Sequence, residues 1–242
     1  AHKQYLAQRY YFGLLCPSAP LFLTLGNHDG EQGRFLNGTS ENMTIWSIAM
    51  RKKYFPNPEP DAFYSGNNTP NVLAGPLQNY FAWQWGDAHF IVLDPFWNTA
   101  RVQGSGAAAG WSWTLGEEQY RWLKQTLETS TSRYKFLFIH HLVGGADSQR
   151  GGVEAASLYE WGGHDPDGTR SFAQRRPGWA APIHELLAAT KVSAVFHGHD
   201  HLYVKQDLDG IVYQEVPQPG FPRYNQAASA AEDVRSVVVQ CT

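Results

Sequence analysis

The chain has 242 residues, a formal net charge of -3, and 43% hydrophobic and 17% charged residues, a composition typical of a globular protein. It contains no Lys/Arg-rich tract, which argues against nucleic acid as a partner. It also contains no apolar run that approaches the roughly 18 residues of a membrane-spanning helix. We find no signal peptide, no repeats and no linker, so we predict one domain over residues 1–242.

The first predicted elements lead into a polar loop. Apolar residues recur every three to four positions over residues 2–15, which predicts a helix. The short apolar run over residues 20–25 predicts a strand buried on both faces. It is followed by an amide, an imidazole and a carboxylate between two glycines: Asn27, His28 and Asp29. Loops at strand ends hold the chemistry of many α/β folds, so these three are candidate site residues, with a polar turn as the alternative.

Three more elements are predicted before residue 130, from apolar periodicity, turn residues and capping residues. They are a helix over 41–55 capped by Ser40, a hairpin of strands 80–85 and 89–94, and a helix over 115–127 capped by Thr114. None of them presents a candidate site residue, and we interpret them as the scaffold.

Two predicted strands in the C-terminal half end in histidines. A strand over residues 134–139 leads into His140-His141, and a strand over 192–196, preceded by a helix over 180–190, leads into the string H-G-H-D-H. Two residues apart in an extended segment, His199 and His201 point to one side. Neutral imidazole is a common ligand of zinc-like ions, so we expect a metal site here rather than a polar turn. The remaining predicted strands are a hairpin over 202–207 and 211–216 and a last strand over 234–240.

Three predicted strands therefore deliver nitrogen and oxygen donors to one edge of a sheet. In order and type, G-N-H-D at 26–29, H-H at 140–141 and G-H-D-H at 198–201 resemble motifs of the calcineurin-like metallophosphoesterases. This family includes purple acid phosphatases and many phosphodiesterases. The resemblance covers roughly residues 20–216.

The resemblance implies an α/β fold, a four-layer α/β/β/α sandwich, with two divalent or trivalent metal ions (Mn, Fe, Zn or Co) about 3.5–4 Å apart. Asn27, His140 and His199 would bind one ion and His201 the other. His28 would stabilise the charge on the phosphoryl group or protonate the leaving oxygen, with Asp29 orienting its ring. The implied reaction is hydrolysis of a small or lipid-like phosphate ester through in-line attack by a metal-bound hydroxide. The resemblance also implies a secreted or periplasmic protein.

The sequence departs from the family pattern at its start. The family begins with D-x-H and G-D-x-x-D, which supply ligands to the first metal and the bridging Asp, but residues 1–25 contain neither Asp nor Glu. The chain thus resembles a phosphoesterase whose N-terminal β-α-β portion is missing. We expect an upstream segment outside this sequence; the alternatives are a truncated chain that binds one metal or none, and a complementing N-terminal segment from another chain. The alternative function is a non-catalytic domain that binds a ligand or partner through the same cleft.

Overall fold

The fold is described by a computed structural model for residues 2–100, 107–145, 150–218 and 237–238. The helices are α1 (His2–Leu15), α2 (Met43–Tyr54), α3 (Ala107–Trp111), α4 (Glu117–Thr129), α5 (Tyr159–Gly162), α6 (Phe172–Arg175) and α7 (Ile183–Ala189). The strands are β1 (Tyr64–Gly66), β2 (Phe81–Trp85), β3 (Ala88–Val92), β4 (Tyr134–Phe138), β5 (Ala194–His197), β6 (Val204–Leu208), β7 (Ile211–Glu215) and β8 (Val237–Val238). Two short 3₁₀ helices are Gly33–Phe35 and Val153–Ala155. Within these ranges, no helix has the length and apolar character needed to span a membrane.

The described strands form one mixed sheet in the order β1-β2-β3-β4-β5-β7-β6-β8. The pairs β3–β4, β4–β5 and β5–β7 are parallel. The other described pairs are antiparallel. Parallel neighbours need crossover connections, which α4 provides between β3 and β4, and α7 between β4 and β5. The predicted α/β class is confirmed, and the carboxyl ends of β4 and β5 lie side by side, with Phe138 opposite Phe196.

The main core covers one face of the sheet. Leu123 and Leu127 of α4 and Leu187 of α7 are almost completely buried in one cluster with Leu137 of β4 and Val195 of β5. Successive side chains of a β-strand point to opposite faces of the sheet, so every second side chain of β4 and β5 points into this cluster. The core therefore holds β4 and β5 in a fixed register, which sets the positions of the residues that follow them.

The opposite face of the sheet carries aromatic side chains that are only partly buried. Trp83 stacks on Phe90 with ring centres 4.9 Å apart, and Phe138 stacks on Phe196 at 5.0 Å. Phe136 lies between these two pairs, 5.6 Å from Phe90 and 6.3 Å from Phe196. The aromatic row crosses β2, β3, β4 and β5 and adds stacking to the backbone pairing of these strands.

The prediction of a strand over residues 20–25 is wrong. No ladder joins this segment to a described strand, and at Leu23 the side chain of Asn57 pairs with both backbone groups. The Leu23 N–H donates to Asn57 Oδ1 at 2.9 Å, and Asn57 Nδ2 donates to the Leu23 carbonyl at 2.9 Å. Phe22 packs on Trp83, with ring centres 4.4 Å apart. The segment thus lies against the aromatic face instead of adding a strand to the sheet.

The predicted helix caps also need correction. Helix α2 begins at Met43, and its cap is Asn42, whose Oδ1 accepts from the Thr44 N–H at 2.9 Å, rather than Ser40. Helix α4 begins after Gly116; the Thr114 hydroxyl accepts from the Gly116 N–H before the helix starts. The other predicted elements are confirmed with ends shifted by a few residues, except that of the strand predicted over 234–240 only Val237–Val238 lies within the described residues.

Candidate metal centre

The polar segments that follow β4 and β5 remain hydrogen-bonded beyond the strand ends. The Ile139 N–H donates to the Phe196 carbonyl at 3.0 Å, and the Gly198 N–H donates to the His140 carbonyl at 2.9 Å. His140 and His199 are therefore placed by the register of two parallel strands. This is the arrangement that the sequence predicted for the carboxyl edge of the sheet.

The turn at Gly26–Asp29 approaches the same edge from the other side. A Cβ atom at Gly26 would lie 3.1 Å from His140 Cε1 and 3.2 Å from its Nδ1, which is tighter than ordinary contact. Only a glycine lets the turn come this close without moving the imidazole. Asp29 closes the turn, because its Oδ2 accepts from the Gly26 N–H at 2.6 Å. This turn brings Asn27 to the histidines.

Three predicted ligand atoms meet at this point. His140 Nε2 lies 2.9 Å from Asn27 Oδ1 and 3.1 Å from His199 Nδ1. Two ligands bound at about 2.1 Å from one ion at a right angle to each other are about 3.0 Å apart. The spacing therefore fits a shared cation, and an amide oxygen with two imidazole nitrogens suits the N/O-binding divalent metals.

The electrostatics of the histidines favour the neutral form that metal binding requires. Burial, together with repulsion from the neighbouring His199, His28 and His201, lowers the pKa of His140 to about 3. Burial also lowers the pKa of His141 to about 3, although its Nδ1 lies 2.8 Å from the Leu142 carbonyl. At neutral pH both rings are uncharged, so His140 keeps a nitrogen lone pair available for a cation.

The segment that contains His199 and His201 has an unusual backbone. His199 has a φ of +81° and His201 a φ of +65°, both in the left-handed region that side chains other than glycine rarely adopt. Asp200 between them is buried and anchors the segment: its Oδ1 accepts from Arg150 at 2.8 Å and its Oδ2 from the Gly151 N–H at 2.7 Å. The strain is thus maintained by a buried carboxylate, as is common where side chains are held for function.

The remaining predicted site residues surround the three-atom centre. His28 and Asp29 are exposed, and His28 and His201 both lie close enough to His140 to repel its charged form. No hydrogen bond joins the His28 ring to Asp29 within the described residues, although the two attract each other electrostatically. Burial lowers the pKa of His201, with Arg150 nearby adding to the effect. His197 is buried below the centre, and burial lowers its pKa to about 4.

A buried ion pair that the sequence did not reveal supports the turn. Glu31 and Arg51 are 4% and 2% exposed, with Nε–Oε1 and Nη2–Oε2 distances of 2.7 and 2.9 Å. Arg51 also donates to the Leu77 carbonyl at 2.5 Å. Glu31 follows the G-N-H-D-G turn directly, which is the only local signal for its role. The pair fixes the base of the turn that presents Asn27.

Aromatic rings and a buried acid form the wall behind the histidines. Phe96 lies 5.7 Å from the His140 ring and 5.2 Å from the His141 ring, and Trp113 meets His141 edge-on at 4.9 Å. Asp94 is completely buried beyond them, where burial raises its pKa to about 6. Its carboxylate accepts from Asn79 at 2.6 Å and from the Phe96 N–H at 2.8 Å, so it holds the wall in place.

The donor set is smaller than that of a complete two-metal centre. Across residues 2–100, 107–145, 150–218 and 237–238, no group of three or more His, Cys, Asp or Glu side chains is arranged to hold a metal ion. The set that converges is mixed, with one amide and two imidazoles. A cavity of about 220 Å³ opens beside it, lined mainly by apolar side chains such as Phe138, Phe196 and Val216.

Comparison with known proteins extends these observations. Among solved structures, the chain is similar to PhoD, with 15% identity, a TM-score of 0.47, and coverage of 80% of this chain and 38% of PhoD. It is also similar to purple acid phosphatase PPD1 from yellow lupin (Lupinus luteus) seeds, with 15% identity, a TM-score of 0.38, and coverage of 79% and 29%. The chain thus spans well under half of either protein, and no curated protein matches it. The family model of the calcineurin-like phosphoesterases matches residues 2–203, and the chain therefore belongs to that family.

Proposed function

We propose that the protein is a metal-dependent phosphoric-ester hydrolase in which Asn27, His140 and His199 bind one metal ion and His201 contributes to a second. The observation that carries this proposal is that Asn27 Oδ1 and His199 Nδ1 both lie within 3.1 Å of His140 Nε2. Family membership supports a phosphoesterase-type reaction, and the neutral imidazoles support metal binding at physiological pH.

A bound cation would supply a water of lowered pKa and positive charge opposite the phosphoryl oxygens. The protein's own residues would do the rest. His28 is exposed beside the centre and would donate a proton to the leaving oxygen or a hydrogen bond to the phosphoryl group. Asp29 would keep His28 in place through the closed turn, since its carboxylate is tied to the Gly26 N–H. Because Asn27 and the two histidines are neutral ligands, the positive charge on the cation would remain available to the phosphate.

The substrate class we propose is a small or lipid-like phosphate ester. The chain has a formal net charge of -3 and no Lys/Arg-rich tract, so its sequence does not favour a nucleic-acid backbone as the substrate. The apolar cavity beside His140, lined by Phe138 and Phe196, supports an ester with an apolar leaving group. Mn, Fe, Zn and Co are the metals that fit this donor chemistry.

The test is turnover of p-nitrophenyl phosphate and its bis-ester by the full-length protein with added Mn²⁺ or Zn²⁺. The His28→Ala variant should lose about 10²–10⁴-fold in rate, the range for a positioned proton donor. His89→Ala is the matched control, because His89 lies on β3, contacts Ser130 and belongs to a different part of the sheet. The proposal fails if metals do not stimulate turnover, or if His28→Ala and His89→Ala behave alike.

A second candidate is a non-catalytic domain that binds a ligand or partner through the same cleft. It is favoured by the absence, within the described residues, of a cluster of three or more His, Cys, Asp or Glu side chains arranged for a metal. Metal content measured by mass spectrometry separates the two. A value near two ions per chain supports the hydrolase, and a value near zero after incubation with Mn²⁺ and Zn²⁺ supports the non-catalytic domain.

A further inference from the structure

Arg34 is a cation beside the candidate centre that the proposed reaction does not use. It lies in the 3₁₀ helix Gly33–Phe35, which follows the turn that carries His28. The helix is tightly fixed, because a Cβ atom at Gly33 would lie only 2.1 Å from the Trp97 carbonyl oxygen. The backbone therefore holds Arg34 at one place relative to the turn.

The Arg34 guanidinium lies close to two aromatic rings, one of which contacts a histidine beside the centre. Its Cζ lies 5.0 Å from the centre of the Trp113 ring and 5.0 Å from that of Phe35. Trp113 meets the His141 ring edge-on at 4.9 Å, and the His141 ring lies 5.7 Å from that of His199. The positive charge on Arg34 helps to lower the pKa of His141, so the guanidinium lies within electrostatic range of the centre.

The guanidinium has no anionic partner within the described residues. Its Nε is completely buried and donates no hydrogen bond, and neither a carboxylate nor a carbonyl receives its other N–H groups there. Arg34 as a whole is only partly buried, but a buried N–H group without a partner is unfavourable. Stacking on an aromatic ring fixes the plane of an arginine while leaving its N–H edge available, and that edge matches the oxygens of a carboxylate or a phosphate.

We propose that Arg34, supported by Trp113, binds a second anionic group of the substrate, separated by a spacer from the phosphate that is hydrolysed. Arg34 is linked to His199 through the successive contacts of Trp113 and His141, which favours a second anionic group over the phosphoryl group at the metal ligands. The substrate class is a phosphate ester that carries a further phosphate or carboxylate. This inference rests on the proposed function for the position of the first phosphate.

The test measures affinity by isothermal titration calorimetry on the full-length protein, with and without Mn²⁺. The probes are alkane-α,ω-diol bisphosphates with spacers of two to eight carbons, ω-phosphoalkanoates of the same lengths, and the corresponding alkyl monophosphates. At the best spacer, a two-anion probe should bind at least about tenfold tighter than the monophosphate, a difference of about 1.4 kcal/mol. The better of the two probe classes identifies the second group as phosphate or carboxylate.

In Arg34→Gln, the preference for the two-anion probe should fall to about twofold or less, because the bidentate donor is lost. Arg121→Gln is the matched control: it removes the same charge from an exposed residue of α4, and the preference should remain. Equal affinity for both probe types at every spacer, or a preference that survives Arg34→Gln, overturns the inference.

A second measurement keeps the inference testable if Arg34→Gln does not fold. Bound bisphosphate should protect Arg34 of the unaltered protein from phenylglyoxal, as followed by peptide mass spectrometry, and a modification rate unchanged by the probe refutes the site. The hydrolase hypothesis and the anion-site hypothesis can also be tested separately. An Arg34-dependent preference without phosphatase turnover would refute the hydrolase and support the anion site. Phosphatase turnover without a preference for the two-anion probe would refute only the anion site.

Discussion

Removal of Arg51 should destabilise the protein strongly, because it leaves the Glu31 carboxylate buried without its partner. Arg51 makes two short contacts with Glu31 and donates to the Leu77 carbonyl, and both charged side chains are less than 5% exposed. Breaking a buried ion pair from one side costs about 3–5 kcal/mol. For Arg51→Met we therefore expect the free energy of unfolding to fall by that amount, which is a large part of the 5–15 kcal/mol that is typical of a domain.

The measurement is urea unfolding of four forms: the unaltered protein, Arg51→Met, Glu31→Gln and the double variant. The double variant leaves neither charge of the pair buried, so it should be more stable than Arg51→Met alone. Arg121→Gln is the control for loss of an exposed pair, with Glu117, and should change the free energy of unfolding by less than about 1 kcal/mol. If Arg51→Met is no less stable than Arg121→Gln, or the double variant is no more stable than Arg51→Met, the unpaired Glu31 carboxylate does not destabilise the protein.

The free energy of unfolding of Arg51→Met should depend on pH in a distinctive way. Burial raises the pKa of Glu31 above its ordinary 4.5, and Arg51 opposes this rise. Without Arg51, the folded state binds a proton at a pH where the unfolded chain has released it. Stability therefore decreases as the pH rises above about 4.5. The deficit of Arg51→Met should be smaller at pH 5 than at pH 8, and a deficit independent of pH would exclude the buried carboxylate as its cause.

Three further predictions concern the centre itself. His140→Ala should weaken Zn²⁺ binding at least tenfold in equilibrium dialysis, whereas His89→Ala should not; equal affinities would remove His140 from the ligand set. In metal-free protein, the depressed pKa of His141, about 3 against an ordinary 6.5, means that its contribution to stability is present above pH 6.5 and is lost as the pH falls toward 3. Acid unfolding should therefore be shallower in His141→Asn, and an identical pH profile would contradict this. Gly26→Ala should lower Zn²⁺ affinity without unfolding the chain, because its Cβ meets the His140 ring at 3.1 Å; unchanged affinity would show that the turn can shift.

The positions of the histidines could be predicted from the sequence because they depend on local signals. The apolar run that ends at Phe138 and the β-branched run that ends at His197 form parallel neighbours, so the residues after them meet at one edge of the sheet. His140 and His199 follow from this pairing alone. Asn27 could be predicted for a different reason, since the spacing of its motif resembles that of a known family.

The parts that were missed depend on contacts between residues far apart in the chain. Residues 20–25 have the composition of a strand, but at Leu23 both backbone groups bond to the side chain of Asn57, 34 residues further along the chain. Ser40 and Asn42 are equally good caps by residue type. Asn42 is the cap in the structure, and its Nδ2 also donates to the Phe35 carbonyl at 2.8 Å. Neither outcome is encoded in a short stretch of sequence.

The left-handed backbone at His199 and His201 sets the stability of the chain against the metal binding proposed for these two residues. Such a conformation costs about 1–2 kcal/mol for a residue with a Cβ atom, a cost that glycine largely avoids. Glycine at either position would relax the loop and remove an imidazole in the same step. A directed-evolution experiment that selects this protein only for heat resistance should therefore enrich glycine at these two positions and yield more stable variants that lack two of the proposed metal ligands.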